Sequence, residues 1–205
     1  MSKKYILGTK QDMTQVFDEN GVVHAATVVS AGPVVVTQVK TSEKDGYTAV
    51  QVGFGEKAEK NLNKPALGHF KGLGNFRHVR EFADVTGVER GATLDVSQFS
   101  IGDIVTVSGI SKGKGWQGVV KRHGFAGDMK THGRKHTLRM PGSLGGGGRA
   151  GGRVAKGKRM GGRMGSDRVT VQNLRIIQID KATNTLVITG AIPGNRGGLV
   201  EIISN

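Results

Sequence analysis

The chain has 205 residues, with 30 Lys and Arg against 16 Asp and Glu, a net charge of +14, and no cysteine. Such a charge favours a polyanionic partner, and the missing cysteines exclude disulfides and thiolate metal sites. No apolar run approaches the roughly 20 residues of a membrane span, and Met1–Gly8 lacks an apolar signal region, so a soluble, cytoplasmic protein without a membrane partner is expected.

Short β-branched runs open the chain. Tyr5–Leu7 and Thr14–Phe17 are predicted strands, and Asp18-Glu-Asn-Gly21 carries an Asn-Gly hairpin signal. Val22–Ala31 and Val34–Thr41 are strand-like on either side of Gly32-Pro33, and Asp45-Gly46 turns the chain into Tyr47–Phe54. This meander suits a small antiparallel β-barrel. Residues 56–96 are less regular: Lys57–Leu67 has mixed polar character and a short helix, Arg77–Phe82 alternates as a strand, and Gly87–Gly91 turns. They are expected to form a small α+β insert. Ile104–Ile110 is a clear strand. Beyond residue 167, strands resume at Arg168–Asp180, Leu186–Thr189 and Leu199–Ile203, separated by the turns Asp180–Asn184 and Gly194–Gly198. The expected fold class is therefore mainly β. A barrel domain spans residues 1–111 and 168–205, and residues 112–167 form a long basic, glycine-rich extension loop.

That loop concentrates the charge. Lys112 to Arg168 holds fifteen Lys and Arg against Asp128 and Asp167, a surplus of +13 in 57 residues, and 17 of the chain's 34 glycines. So few large apolar side chains cannot offset the entropy of ordering, and the segment needs a polyanion to order against. Both ends join strands, and an extended run out and back reaches at most about 90 Å. Candidate phosphate contacts are Lys112, Lys114, Lys121, Arg122, Lys130, Arg134, Lys135, Arg139, Arg149, Arg153, Lys156, Lys158, Arg159, Arg163 and Arg168. Trp116 and the loop histidines His123, His132 and His136 are candidate stacking or polar contacts. Charge does not separate RNA from DNA, so a DNA-associated architectural protein stays open beside an RNA-binding one, as does a merely solvated loop.

Other chemistry fits less well. Gly113-Lys-Gly-Trp-Gln-Gly118 matches G-x-G-x-x-G after a strand, but Gly124 would break the following helix early and no acidic residue is well placed. The same run lacks the later kinase motifs, and Gly109–Lys114 lacks the length and hydroxyl of a Walker loop. His132 and His136 have i, i+4 spacing, yet Arg134 and Lys135 between them disfavour a metal cation. Ser, Asp and His form no catalytic set, so no catalytic residue, metal, cofactor or small-molecule substrate is expected. His24, His69 and His78 have structural or surface roles. Met129, Met140, Met160 and Met164 are unusual in so polar a loop and suit RNA grooves or a protein neighbour.

Several runs become familiar when read together. They are Gly109-Ile-Ser-Lys-Gly-Lys-Gly-Trp-Gln-Gly-Val-Val-Lys-Arg122, Thr131-His-Gly133, Arg139-Met-Pro-Gly-Ser143, Gly157-Lys-Arg-Met-Gly-Gly-Arg-Met-Gly165 and Arg168-Val-Thr-Val-Gln172. Asp45-Gly-Tyr-Thr-Ala-Val-Gln-Val-Gly-Phe-Gly55, Lys64-Pro65, Gly68-His-Phe70 and Gly190-Ala-Ile-Pro-Gly194 extend the match. In this order they resemble the bacterial ribosomal protein L-three family over almost the whole length. The resemblance implies a structural constituent of the ribosome, not an enzyme. Its β-barrel would lie on the subunit exterior, and its extension would thread into large-subunit rRNA toward the peptidyl-transferase centre without supplying catalytic groups. It further implies direct rRNA binding, an early role in subunit assembly and neighbouring large-subunit proteins as partners. The cations, Trp116 and histidines named above become rRNA contacts. The extension tip falls at Leu144, Gly145, Gly146, Gly147, Gly148, Arg149, Ala150, Gly151 and Gly152.

The chain departs from the family pattern at Asp12-Met13-Thr14, at Leu138-Arg139, at Ala155 and in the glycine run Gly145–Gly148. A tip glutamine that some relatives methylate has no counterpart here.

Overall fold

A computed structural model describes residues 4–18, 20–83, 87–148 and 151–204. The chain divides into two compact units, Met1–Ile110 with Arg168–Asn205, and Ser111–Asp167. In chain order the strands are β1 (Tyr5–Phe17), β2 (Val23–Ala31), β3 (Val34–Lys40), β4 (Ala49–Glu56), β5 (Phe76–Ala83), β6 (Thr93–Leu94), β7 (Ile104–Ile110), β8 (Gly115–Gln117), β9 (Gly162–Met164), β10 (Arg168–Asp180), β11 (Thr185–Thr189) and β12 (Leu199–Ser204). The helices are short: α1 (Ser42–Asp45), α2 (Lys64–His69) and α3 (Val119–His123). The protein is mainly β.

Six antiparallel strands of the first unit close on one another in the order β1-β12-β7-β10-β11-β2, with β2 returning to β1. Period-two alternation drives this closure. In β7, Val105 and Val107 are fully buried while Ile104 and Ile110 are exposed, and in β12 Val200 and Ile202 are the inward pair. Ile6, Val29, Ile176, Leu186 and Ile188 fill the same core. The two strands expected at Tyr5–Leu7 and Thr14–Phe17 are one strand, β1, with a register shift between Lys10 and Met13. The bulge absorbs the break in alternation that makes the sequence look like two pieces.

A second sheet runs β5-β4-β3-β6. Val34–Thr41 and Tyr47–Phe54, read from sequence as part of the first meander, lie here instead. Gly32-Pro33 is where the chain leaves the ring, and the second sheet therefore starts at Val34 rather than near residue 56. Val34, Val36, Val50, Val52 and Phe82 join the common core. Tyr5 stacks obliquely on Phe82, with ring centroids 4.7 Å apart. Burial pushes the Tyr5 phenol up to about 12. On the sheet surface the Lys40 ammonium meets Glu81 at 2.8 Å, and that contact, first of several, holds the Glu81 carboxyl below its usual range. In the ring, Lys4 meets Asp103 at 2.7 Å and lowers its carboxyl likewise.

The helix read at Lys57–Leu67 is a 3-10 turn at Glu59–Asn61 followed by α2, which Pro65 starts from its first turn. Among the described residues no helix is long and apolar enough to cross a membrane.

Candidate nucleic-acid interface

The basic unit, Ser111–Asp167, begins and ends at one place. The Ser111 amide donates to the Asp167 carbonyl at 2.9 Å, and the Ser166 amide donates to Ser111 at 3.2 Å. Next comes a short β8–β9 ladder that sets Trp116 opposite Arg163. Gly165 makes this approach possible: φ is +77°, and a Cβ there would lie 2.2 Å from the Lys112 carbonyl oxygen.

α3 follows β8 directly. Val119 is its buried anchor, and Gly124 ends it in the left-handed conformation after five residues. Lys121, Arg122 and His123 fall in its last turn, where the helix dipole favours cations. So short a helix cannot serve the dinucleotide reading of Gly113–Gly118. Arg122 donates to the Met160 carbonyl at 2.8 Å, and His123 Nε2 lies 3.0 Å from the same oxygen, which makes that nitrogen the protonated one. These two candidates therefore first tie α3 to the returning segment just before β9.

A second local closure surrounds Asp128. Its amide donates to the Leu138 carbonyl at 3.2 Å, and Arg134 reaches its carboxylate at 2.5 Å. The Thr137 hydroxyl, the Met129 amide and Arg134 hold the Asp128 carboxyl below its ordinary range. Gly127 permits the turn: φ is +79°, and a Cβ would stand 2.2 Å from the Leu138 carbonyl oxygen. Phe125, Asp128, Arg134, Met140 and Pro141 line an open cleft of about 620 Å³. His132 has φ of +58° and lies in a turn, so no helix supports the i, i+4 metal spacing to His136. Among the described residues no group of three or more His, Cys, Asp or Glu could hold a metal ion.

The remaining candidates face solvent. All thirteen described Lys and Arg of this unit are exposed: Lys112, Lys114, Lys121, Arg122, Lys130, Arg134, Lys135, Arg139, Arg153, Lys156, Lys158, Arg159 and Arg163. Among the described residues, one ion pair falls inside the unit, Arg134 with Asp128. Trp116 is 78% exposed. His132 and His136 are exposed too, while His123 is half-buried. Arg168 belongs to the other unit. It opens β10 and pairs with Glu201, which also takes Arg80 at 2.9 Å. Around Leu144 and Gly145 the chain approaches a reversal that closes when the Gly152 amide donates to Gly146 at 2.7 Å and the Gly151 amide to Gly148 at 3.1 Å. Gly147 lies within this turn, and Arg149 and Ala150 lie outside the described residues. The sequence reading missed Asp128 and the Met160 carbonyl as the organisers of this unit. An acid standing alone in a basic stretch was the available signal for Asp128; a backbone carbonyl gives none.

A folded β body joined to a glycine-rich unit whose described cations all face solvent is the make-up of a polyanion-binding component. Its relatives narrow that class. The profile described as Ribosomal protein L3 matches residues 69–201. A protein of Corynebacterium efficiens is 50% identical over 203 residues, covering 97% of this chain and 93% of the relative. One of Streptococcus pyogenes serotype M1 is 50% identical, covering 98% and 96%. One of Finegoldia magna is 48% identical, covering 97% and 96%. Each of these three is named Large ribosomal subunit protein uL3. The chain belongs to the ribosomal protein L3 family.

Proposed function

We propose that this chain is a structural constituent of the large ribosomal subunit that binds large-subunit rRNA directly through residues 112–168. It works in the cytoplasm as a non-catalytic component and needs no cofactor. The observation that carries the reading is the exposure of all thirteen described cations of the basic unit, with a single internal ion pair. Solvated cations on a glycine-rich backbone lose little on meeting phosphates and gain the entropy of released counterions. Trp116, 78% exposed and two residues after Lys114 in the chain, offers a face on which an unpaired base can stack.

In this reading the closed ring of strands is a barrel that docks on the subunit exterior, and residues 112–167 form an extension that orders on rRNA early in assembly. Residues 144–152 are its tip, directed toward the peptidyl-transferase centre, where they supply no catalytic group. Neighbouring large-subunit proteins complete its surroundings. A DNA-associated role fits less well, because the family relatives are named for the ribosome.

The test is sedimentation of tagged protein with ribosomal subunits washed at roughly 0.5–1 M salt, where simple phosphate attraction is largely screened. Retention in the large subunit is the expected result. Release into the free fraction reduces the loop to a weak polyanion binder and overturns the reading.

A further inference from the structure

The β1–β2 hairpin continues past the closed ring. β1 pairs with β12 over Tyr5–Thr9, and β2 pairs with β11 over Ala26–Ser30. Gln15–Phe17 and Val23–Ala25 therefore form a two-stranded arm, with Met13 and Thr14 at its base opposite the ring residues Thr27 and Ala26. Phe17 stands opposite Val23 and Gln15 opposite Ala25, and alternation brings Met13, Gln15 and Phe17 to one face. Met13 is 51%, Phe17 64% and Val23 51% exposed. A two-stranded ribbon is marginal in water, and large apolar side chains gathered on one face of it mark an interaction surface.

The charge of the arm selects the occupant. No Lys or Arg occurs between Lys10 and Lys40, whereas Asp12, Asp18 and Glu19 do, an acidic island in a chain of +14. The Asn20 and Val22 amides donate to the Asp18 carboxylate at 2.9 and 2.8 Å, with the His24 ring 3.3 Å away. The Val22 amide leads the groups that keep this carboxyl below its usual range, so it is charged at neutral pH. Asp12 is exposed and pairs with Arg196 at 3.0 Å. An RNA strand would bring phosphates against these acids, and a second copy of the chain would bring the same acids against themselves. An apolar patch rimmed by Lys or Arg on a different protein matches both the face and its charge.

We propose that the face formed by Met13, Gln15, Phe17, Val23 and Ala25 docks a basic protein neighbour within the large subunit. The proposal rests on the ribosomal reading above. The test places a photoreactive p-benzoylphenylalanine at Gln15 of the full-length chain and irradiates salt-washed large subunits. The expected product is one cross-linked protein whose linked peptide carries Lys or Arg beside apolar residues. Met13→Ser with Phe17→Ser should cut that product about tenfold or more, while the chain stays in the subunit at unchanged amount. A cross-link to rRNA, to a second copy, or to nothing, in subunits that contain the chain, overturns this proposal and leaves the ribosomal reading intact. Absence of the chain from washed subunits overturns both.

Discussion

In the β unit a single carboxylate, Glu201, takes two arginines, Arg80 and Arg168, whereas in the basic unit thirteen described, exposed cations share one internal ion pair. The contrast extends to apolar burial. The core named by Ile6, Val107, Ile188 and Ile202 lies wholly in the β unit, while the basic unit has Val119 as its buried apolar anchor. One region therefore carries its own folding free energy. The other is held by short closures at Met160 and Asp128 and leaves its charges for a partner. The difference teaches that stability and affinity should be separable by mutation.

The strongest way to break that separation is to remove residues 113–166. The ends are already adjacent, since Ser111 donates to Asp167 at 2.9 Å. RNA affinity should fall on the order of a thousandfold at low salt, and its salt dependence should flatten. Circular dichroism should still show one cooperative melt. Closing a loop of this length costs about 3–4 kcal/mol of entropy, so the shortened chain should fold at least as stably as the parent. A melt without cooperativity would show that the β unit depends on the basic one.

Core truncation sharpens the comparison from the other side. Ile188→Ala, at a fully buried position, should cost about 2–5 kcal/mol in denaturant titrations. Lys156→Ala, at an exposed position, should stay within about 0.5 kcal/mol yet lower the salt slope of RNA binding by about one. Next in size is Gly127→Ala. The added Cβ would meet the Leu138 carbonyl oxygen at 2.2 Å in a left-handed backbone, so the Asp128 closure must shift at a local cost of about 1–3 kcal/mol. Proteolysis near residues 126–142 should quicken while the main melt is unmoved.

The smallest effect concerns pH. The Asp103 carboxyl is held low, first by Lys4 and then by the Ser100 amide. Its folded pKa lies below the unfolded value, so its contribution is present above about pH 4 and is lost as pH falls through the folded value. The Lys4–Asp103 pair is partly exposed, which limits it to under about 1 kcal/mol. Asp103→Asn should therefore melt slightly lower at neutral pH, with the gap to the parent closing in acid. A gap that is constant with pH would assign the loss to packing instead.

Much of this was legible in the residues. The alternation of Ile104–Ile110 and Arg168–Asp180 gave strands with the observed limits, and the charge of the basic stretch was plain from its composition. Two things were not. The assignment of Val34–Thr41 to a second sheet depends on which partner the strand meets after Gly32-Pro33, and alternation is the same in either sheet. The tethering of Arg122 and His123 depends on a carbonyl at Met160, 37 residues beyond His123, a contact that no local pattern encodes. A list of cations by type treats these tethered groups as equal to Lys156 or Arg153, although part of their hydrogen-bonding capacity is already engaged.

β12 lies between β1 and β7, with Val200 facing both Gly8 and Gly109. The ring is thus completed by residues 199–204, which follow every other strand of the ring in chain order. Until they pair, β1 and β7 present unpaired edges that are open to wrong strand pairing. The basic stretch, made earlier, can meet RNA before the body that carries it has closed. For this chain, engagement of the partner and completion of the fold are events whose order is open to kinetic competition, and the insertion of β12 between β1 and β7 is the step at which that competition is decided.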